Sequence, residues 1–470
     1  MNQPFDPDSL GLIPRPFELR ITGGIPYTVD DDVAVHLLGD PAAVGLDEES
    51  PLWRRKEAYR LTIAGGKAEI SALAEAGIRH GRRALTQIIG AGPVPDLVIV
   101  DHPEFEWRGL NVDIVRHFFT LEDLTVVLDI MGDLRLNRLH LHLSDDQGWR
   151  IEIPSLPELV QLSSGTSVGA GEGGHLSLED MERLIGEAAE RGIVVVPEVD
   201  VPGHTTAALH ALPGLNPDGR TPPVYEGIEV GISTLSTRAP DTARFLDAVA
   251  DTLAPLGSDG VHVGGDECLL TPPEEFAELV SMAVRRIHDR GRRVIAWQEG
   301  AAQLRSGDLL QLWDERQDMS DVAAATRRGV RVIASPASRV YLDMKYDDSE
   351  RLGLTWAGCT SLRESFEWDP RTLLVELGGG DAEAAEPDPQ AIAGVEACVF
   401  TETIETVDDL VYMLLPRLAA AAEISWAGGG TGWWESFARR IAVHAAAWQR
   451  NGYVWHRSPE VEWDLHPRRH

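Results

Sequence analysis

From about residue 107 onward the chain repeats one pattern, a short apolar run followed by a stretch with helical periodicity. The apolar runs fall at residues 109–114, 138–143, 193–199, 260–263, 294–297, 309–313, 330–334 and 395–400. Helical patterns fill most of the intervals, for example 121–134, 177–191, 241–253 and 273–290. Strands of a parallel sheet are covered on both faces, so they read as continuous apolar runs rather than as alternation. Eight such runs alternating with helices meet the requirement of a (β/α)8 barrel. A doubly wound open sheet gives a similar rhythm, although no Gly-x-Gly-x-x-Gly follows the first run, which weakens a dinucleotide-binding version.

The 470 residues exceed what one ordinary domain uses, and the rhythm leaves the first hundred unexplained. That region carries β-rich runs at 59–63, 68–71 and 97–100 around a helical pattern at 78–89, and Asp101-His102-Pro103 reads as a turn before a new unit. The expected organisation is an α/β protein: a small α+β domain over 1–105, then a (β/α)8 TIM barrel catalytic domain over 106–470. The low-complexity segment 378–389 reads as a surface loop, and a final helix over 433–451 is expected to pack outside the barrel.

Composition narrows the partners. With 75 acidic and 42 basic residues the formal charge is −33, so nucleic acid and anionic membrane surfaces are poor ligands. The most apolar stretch, 413–426, is interrupted by Pro416, Arg417 and Glu423, which argues against a membrane span. The first residues show no basic segment followed by an apolar one, giving a cytoplasmic expectation. Cys268, Cys359 and Cys398 lie far apart, with neither metal spacing nor a disulfide framework. No metal or cofactor is expected, and the oligomeric state is not legible.

In a barrel of this kind the chemistry sits at the C-terminal ends of the strands. Those ends carry Asp113 and Arg116, His142 with Asp145 and Asp146, then Glu198, Asp200 and His204. They continue with Asp266 and Glu267, Trp297 and Glu299, Trp313 and Asp314, Tyr341 and Asp343, and Glu402. Helix capping and loop solvation explain some of these singly but strain to explain all eight ends. The segment Val261-His-Val-Gly-Gly-Asp-Glu-Cys268 is the sharpest. Gly264 and Gly265 tolerate backbone angles that let both following acids turn inward, where a regular strand would send them to opposite faces.

Adjacent carboxylates serve either a divalent metal or the acid/base chemistry of sugars. Trp149, Trp297, Trp313, Trp356, Tyr341 and Phe400 fall at or near strand ends, as faces that stack on pyranose C–H surfaces would. That aromatic set favours glycoside hydrolysis. The alternative is a metal-dependent barrel lyase or isomerase using the Asp266/Glu267 pair.

Four motifs carry a resemblance. Arg108-Gly-Leu-Asn-Val-Asp-Ile-Val-Arg-His-Phe-Phe119, Asn137-Arg-Leu-His-Leu-His-Leu-Ser-Asp-Asp-Gln-Gly-Trp-Arg150, Pro197-Glu-Val-Asp-Val-Pro-Gly-His204 and His262-Val-Gly-Gly-Asp-Glu267 resemble the barrel strands of glycoside hydrolase family 20, the β-N-acetylhexosaminidases. The resemblance implies an exo-acting, retaining hydrolase for terminal β-linked N-acetylglucosamine or N-acetylgalactosamine. In it the substrate's 2-acetamido group is the nucleophile and an oxazolinium ion the intermediate. It implies Glu267 as general acid and then base, Asp266 as acceptor of the acetamido N–H, and Tyr341 as donor to its oxygen. Trp297 and Trp313 would wall the acetamido pocket, Arg116 would bind O3 and O4, and Asp343 and Glu402 the O4 and O6 hydroxyls. Asp145 and His204 would support Glu267. The chain departs from the family at Phe400, where tryptophan is usual under the terminal sugar. Phenylalanine keeps a π-face with less area and no indole N–H, which leaves the preferred sugar open.

Overall fold

The computed structural model describes residues 5–23, 28, 33–257, 259–377 and 391–463. The low-complexity segment read as a loop lies outside the described residues. Five strands form the first sheet: β1 (Glu18–Ile21), β2 (Val33–Leu37), β3 (Tyr59–Ala64), β4 (Lys67–Ala72) and β5 (Leu97–Asp101), in the order β1-β5-β3-β4-β2. Only the β2–β4 pair is parallel. The helix Glu75–Gly90 buries Ile78, Leu85 and Ile88 with Tyr59, Leu61 and Ile70 of the sheet. The sequence pattern finds β3, β4, β5 and this helix but not β1 or β2. Those two are the edge strands, half-exposed along most of their length, so they lack the apolar run that marks a buried strand.

The remaining strands close a parallel barrel: β6 (Trp107–Asp113), β7 (Arg138–His142), β8 (Val194–Glu198), β9 (Val261–His262), β10 (Val294–Trp297), β11 (Leu309–Leu312), β12 (Arg331–Ala334) and β13 (Ile392–Val399). All eight coincide with the apolar runs, and closure rules out the open-sheet alternative. The long helices between them start where the sequence supplies caps. Thr120 and Ser177 each accept from the third residue of their helix, and Asp123 and Asp180 bond back.

Successive side chains of a strand alternate between the barrel interior and the helix layer. Outward residues such as Leu110, Val112, Leu139, Leu141 and Val195 join the main apolar core. Inward ones form tiers. The first is apolar, built from Trp107, Val196, Ile295, Leu309 and Ile333. Above it the interior turns polar: Glu198 and Gln311 follow Val196 and Leu309 by two residues on β8 and β11, and His140, His262 and Glu396 come from β7, β9 and β13, all buried. The motif Arg-Leu-His-Leu-His of β7 is therefore two faces read in alternation, leucines to the helices and histidines to the interior.

Trp149 does not face a cavity. It is buried in the core, with its ring edge-on to Phe245 at 5.7 Å and its indole N–H donating to Ile151 O at 2.7 Å. The residues after β7 fold back over the barrel and carry it into the apolar layer. Among the described residues no single helix is long and apolar enough to cross a membrane. The apolar stretch 413–426 lies largely in the helix Arg417–Ala427, where buried Arg417 donates to the carbonyls of Leu342, Met344 and Thr360. The last helix, Trp434–Arg450, ties down the N-terminal segment: Arg440 pairs with buried Glu423 and donates to Leu12 O at 2.8 Å.

Ionic contacts join sheet and barrel. Asp101 at the end of β5 accepts from Tyr59 at 2.8 Å, Trp426 at 2.9 Å and Arg135 at 3.1 Å. Glu57 pairs with Arg108 of β6 and, at 3.0 Å, with His80. Burial acts to raise the Glu57 carboxyl, but Arg108 and His80 outweigh it and hold the pKa at about 2. A carboxyl depressed from 4.5 in the folded state stabilises the fold above pH 4.5, and the contribution fades as pH falls toward 2. Glu57→Gln leaves buried Arg108 without a counter-charge. It is expected to cost about 3 kcal/mol at pH 7 by denaturant unfolding, with the gap to wild type narrowing below pH 4.5.

Candidate active site

The C-terminal mouth of the barrel holds a cavity of about 570 Å³, within the range of small-molecule sites. Its floor and walls include Arg116, His142, Asp145, Asp200, His204, Asp266, Glu267, Trp313, Tyr341, Asp343, Trp356, Phe400 and Glu402. Of the residues to which the resemblance gives a role, only Trp297 stays off this wall. It is buried in the apolar cluster of Trp313 and Tyr341 and donates its indole N–H to Glu198 at 3.0 Å. Asp113, Asp146, Trp149, Glu198, Glu299 and Asp314, noted at or near strand ends, do not line the cavity either.

The turn after β9 aims the two central acids. Gly264 and Gly265 have φ of 71° and 104°, and Glu267 itself sits at 48°. A Cβ on Gly264 would lie 1.7 Å from Asp200 Oδ1, so the chain passes this point only without a side chain. Asp200 in turn accepts from the Gly265 N–H at 2.9 Å, and the Cys268 thiol, 3.0 Å from Asp266 O, donates to it. His204, across the cavity floor, is also left-handed with φ 53°. Two non-glycine residues in this region mark stored strain of the kind that surrounding structure imposes at working sites.

Electrostatics divide the two acids. Asp266 is hydrogen-bonded to Asp200, and both carboxyls are pushed well above the usual range, chiefly by burial, with Glu198 repelling Asp200 and Asp200 repelling Asp266, so the pair retains a proton. Glu267 is raised chiefly by burial, against the pull of His204 and Arg116. His204 Nε2 stands 3.6 Å from Glu267 Oε2 and 3.9 Å from Asp266 Oδ2, while its Nδ1 is 3.1 Å from Asp145 Oδ1. Burial would depress His204, but Asp145 and Asp266 lift it to about 10, so it is an imidazolium at neutral pH. Asp145 Oδ2 also takes Arg116 at 2.9 Å and His142 at 2.7 Å. Opposite these, Asp343 is pushed up to about 8 by burial and by Glu402. Glu402 Oε2 and Asp266 Oδ1 are buried without a hydrogen-bond partner, acceptors suited to a ligand's hydroxyl and amide groups.

Aromatic rings enclose one side. Trp313 stacks on Tyr341 at 6.2 Å, Trp356 stands edge-on to both at 5.7 and 5.5 Å, and Phe400 leans on Tyr341 at 5.7 Å. The Arg116 guanidinium lies over the Phe400 ring at 5.3 Å. Trp313 is buried, whereas Trp356 is 39% exposed and reaches the rim.

Four features had no role assigned from sequence. Asp200 was expected among the acids of the pocket but was given no role, and its contact with Asp266 depends on the Gly264 turn. Arg316 and the segment Ile228-Glu229-Val230 line the cavity from irregular loops with no periodic signal. Glu198, noted as a strand end, proves to be a buried junction of three histidines. The proposed metal pair is not supported by the arrangement: among the described residues no cluster with metal-ligand spacing contains both Asp266 and Glu267.

A closed (β/α)8 barrel whose mouth joins buried acids to an aromatic cage defines a glycosidase, and the comparisons agree. The model for "Glycosyl hydrolase family 20, catalytic domain" matches residues 105–278 and 271–429. The chain is 42% identical over 464 residues to a β-N-acetylhexosaminidase of Cellulomonas fimi, covering 97% of this chain and 89% of that protein. It is similar in structure to Streptomyces plicatus N-acetyl-β-hexosaminidase in complex with Thio-NAglucal, with a TM-score of 0.87, 33% identity, and coverage of 97% and 98%. The family 20 β-N-acetylhexosaminidase of Streptomyces coelicolor A3(2) superposes with a TM-score of 0.87 at 34% identity, covering 98% of this chain and 100% of that one. The chain belongs to glycosyl hydrolase family 20 and is a glycosidase of the β-N-acetylhexosaminidase kind. Gly264→Ala is expected to displace Asp200 and Asp266 together. An error of ~1 Å in such groups costs about 100-fold in rate, so kcat/KM of the folded variant should fall at least that far in steady-state assays.

Proposed function

We propose that the protein is an exo-acting, retaining β-N-acetylhexosaminidase that releases a terminal β-linked N-acetylglucosamine or N-acetylgalactosamine by substrate-assisted catalysis. The observation that carries this reading is the division of labour between the adjacent acids: Glu267 beside the His204 imidazolium, and Asp266 tied to Asp200 at the aromatic cage. The relative from Cellulomonas fimi is a β-N-acetylhexosaminidase, and a mutant of the Streptomyces plicatus enzyme has been solved with the product N-acetylglucosamine.

In this mechanism Glu267, kept protonated by its raised pKa, delivers its proton to the glycosidic oxygen as the C1–O bond breaks. The acetamido carbonyl oxygen attacks C1 from the opposite face, forming the oxazolinium ring. Asp266 accepts the acetamido N–H and offsets the positive charge that develops on the ring. Tyr341 donates to the acetamido oxygen and orients it. Water then attacks C1 while Glu267 takes its proton, which opens the oxazolinium and restores both the acetamide and the acid. Two inversions leave the β-configuration. Because the nucleophile is held in place by the substrate itself, the gain is that of an intramolecular reaction, on the order of 7–11 kcal/mol in favourable geometry.

Arg116 is pinned by Asp145 and Asp113, so its remaining donors face the sugar as a fixed fork. Asp343 and Glu402 supply hydroxyl contacts, and Phe400 offers a stacking face. A neutral amino sugar suits a protein of charge −33, whereas an anionic glycan is repelled.

Turnover of an aryl N-acetylglucosaminide is expected, with no appreciable cleavage of the matching glucoside, which lacks the internal nucleophile; comparable rates on both would end the substrate-assisted reading. Glu267→Gln and Asp266→Asn should each lower kcat by about 100-fold or more. The acid must be protonated to act, so kcat/KM should decline as pH rises through the raised Glu267 pKa, a limb that lies above 4.5 and is absent in Glu267→Gln.

A further inference from the structure

Below the cavity the barrel interior holds a ladder of alternating carboxylates and imidazoles that runs up to the acid. Glu396, on the β13 strand, accepts from Trp107 at 2.7 Å and Gln311 at 2.9 Å, and pairs with His140 Nδ1 at 2.9 Å. His140 Nε2 stands 3.3 Å from Glu198 Oε2. Glu198 then meets His142 Nδ1 at 2.6 Å, and His142 Nε2 meets Asp145 Oδ2 at 2.7 Å. Asp145 holds His204, and His204 faces Glu267. Every member from Glu396 to His204 is at most 3% exposed.

We propose that Glu198 is a positioning residue for the acid chemistry: its charge holds a proton on His142 and so fixes Asp145, through which Arg116 and His204 are aimed at the sugar and at Glu267. This rests on the reading of Glu267 as the acid and extends it one tier down. Glu198 touches no part of the cavity, being absent from its walls. Four polar groups surround its carboxylate: His142 at 2.6 Å, His262 at 2.7 Å, His140 at 3.3 Å and the Trp297 indole N–H, which donates at 3.0 Å.

The pattern demands the charge. His142 has a carboxylate within hydrogen-bond distance of each ring nitrogen, and only an imidazolium donates from both. Burial disfavours that cation, but Glu198 and Asp145 outweigh it and lift His142 well above its ordinary value. His140, between Glu198 and Glu396, is raised to about 9 against the same burial. Burial and the neighbouring His140 lower His262, whose Nδ1 accepts the Gly264 N–H at 3.1 Å on the side that faces Glu198. The other groups facing this junction are Asp200, which Glu198 repels, and the Phe400 ring, edge-on to His142 at 5.8 Å. A neutral His142 can donate to only one of its two carboxylates. Asp145 would then lose one of the three cationic partners that fix its plane.

The test compares wild type, Glu198→Gln, His142→Gln and the double variant on an aryl N-acetylglucosaminide across pH. Glu198→Gln keeps the shape and removes the charge, leaving His142 with Asp145 alone. The expected result is a kcat lower by about tenfold or more with KM within about threefold. The basic limb of kcat/KM should also move to lower pH, because His142 now loses its proton within the measured range. His142→Gln should lose kcat similarly without that downward movement, and the double variant should be no worse than the poorer single one. If Glu198→Gln does not fold cooperatively, His142→Gln decides by its split of kcat from KM. A Glu198→Gln profile that superposes on wild type, or a His142→Gln kcat equal to wild type, overturns the proposal. Failure of wild type to cleave the N-acetylglucosaminide would instead overturn the reading of Glu267 on which it rests.

Discussion

Eight parallel strands closed into a ring leave an interior only wide enough for side chains, and in this protein much of that interior is ionised. A buried charge is tolerated when it is paired and its remaining hydrogen-bonding positions are satisfied. The pairing is supplied here by alternation along the barrel axis, carboxylate against imidazole or guanidinium, from Glu396 through Glu198 to Asp145. Even the small residues conform to it. A Cβ on Gly109 would lie 2.1 Å from Glu396 Oε2, so the lowest carboxylate fits only because β6 has a glycine opposite. The cavity above inherits its geometry from this framework.

Strain sits at the top of the same framework. Glu267 and His204 adopt left-handed backbone angles, and they face each other across 3.6 Å. Conformations of this kind cost about 1–3 kcal/mol each and persist where the surroundings over-determine them. The surroundings here are the Gly264–Asp200 approach on one side and the Asp145 cluster on the other. Flexible loops would relax such angles. These two loops, packed against each other beyond β8 and β9, are held by those contacts, which keep the acid and its partner in place.

The protein's large negative charge separates into two populations with different physics. A few acids are buried at the mouth, where burial and like-charge neighbours raise Asp266, Glu267, Asp343 and Glu402. Apart from acids buried in ion pairs, such as Asp101, Glu396 and Glu423, the remainder is exposed and sets the long-range field. The first population defines the chemistry, and the second restricts the charge of what approaches. Phe400 belongs with the first. Packed between His142, Tyr341 and the Arg116 guanidinium, it keeps the aromatic floor continuous with a smaller ring than the family's usual tryptophan.

The barrel was legible from the chain alone because hydrophobic periodicity is a local property: eight buried strands must be apolar on the face that meets the helices, and they are. The strand-end residues were legible for the same reason, since a strand fixes where its last side chains emerge. Sequence therefore identified Asp266, Glu267, His204, Asp145, Arg116 and the aromatic cage as neighbours. It also placed Trp149 among the cage residues, although a loop carries that ring into the core. What it did not determine was pairing. Whether a histidine in Arg-Leu-His-Leu-His meets a carboxylate depends on which residues of other strands share its tier. That choice is made by the closure and register of the barrel, between groups such as His140 and Glu396 that lie 256 residues apart.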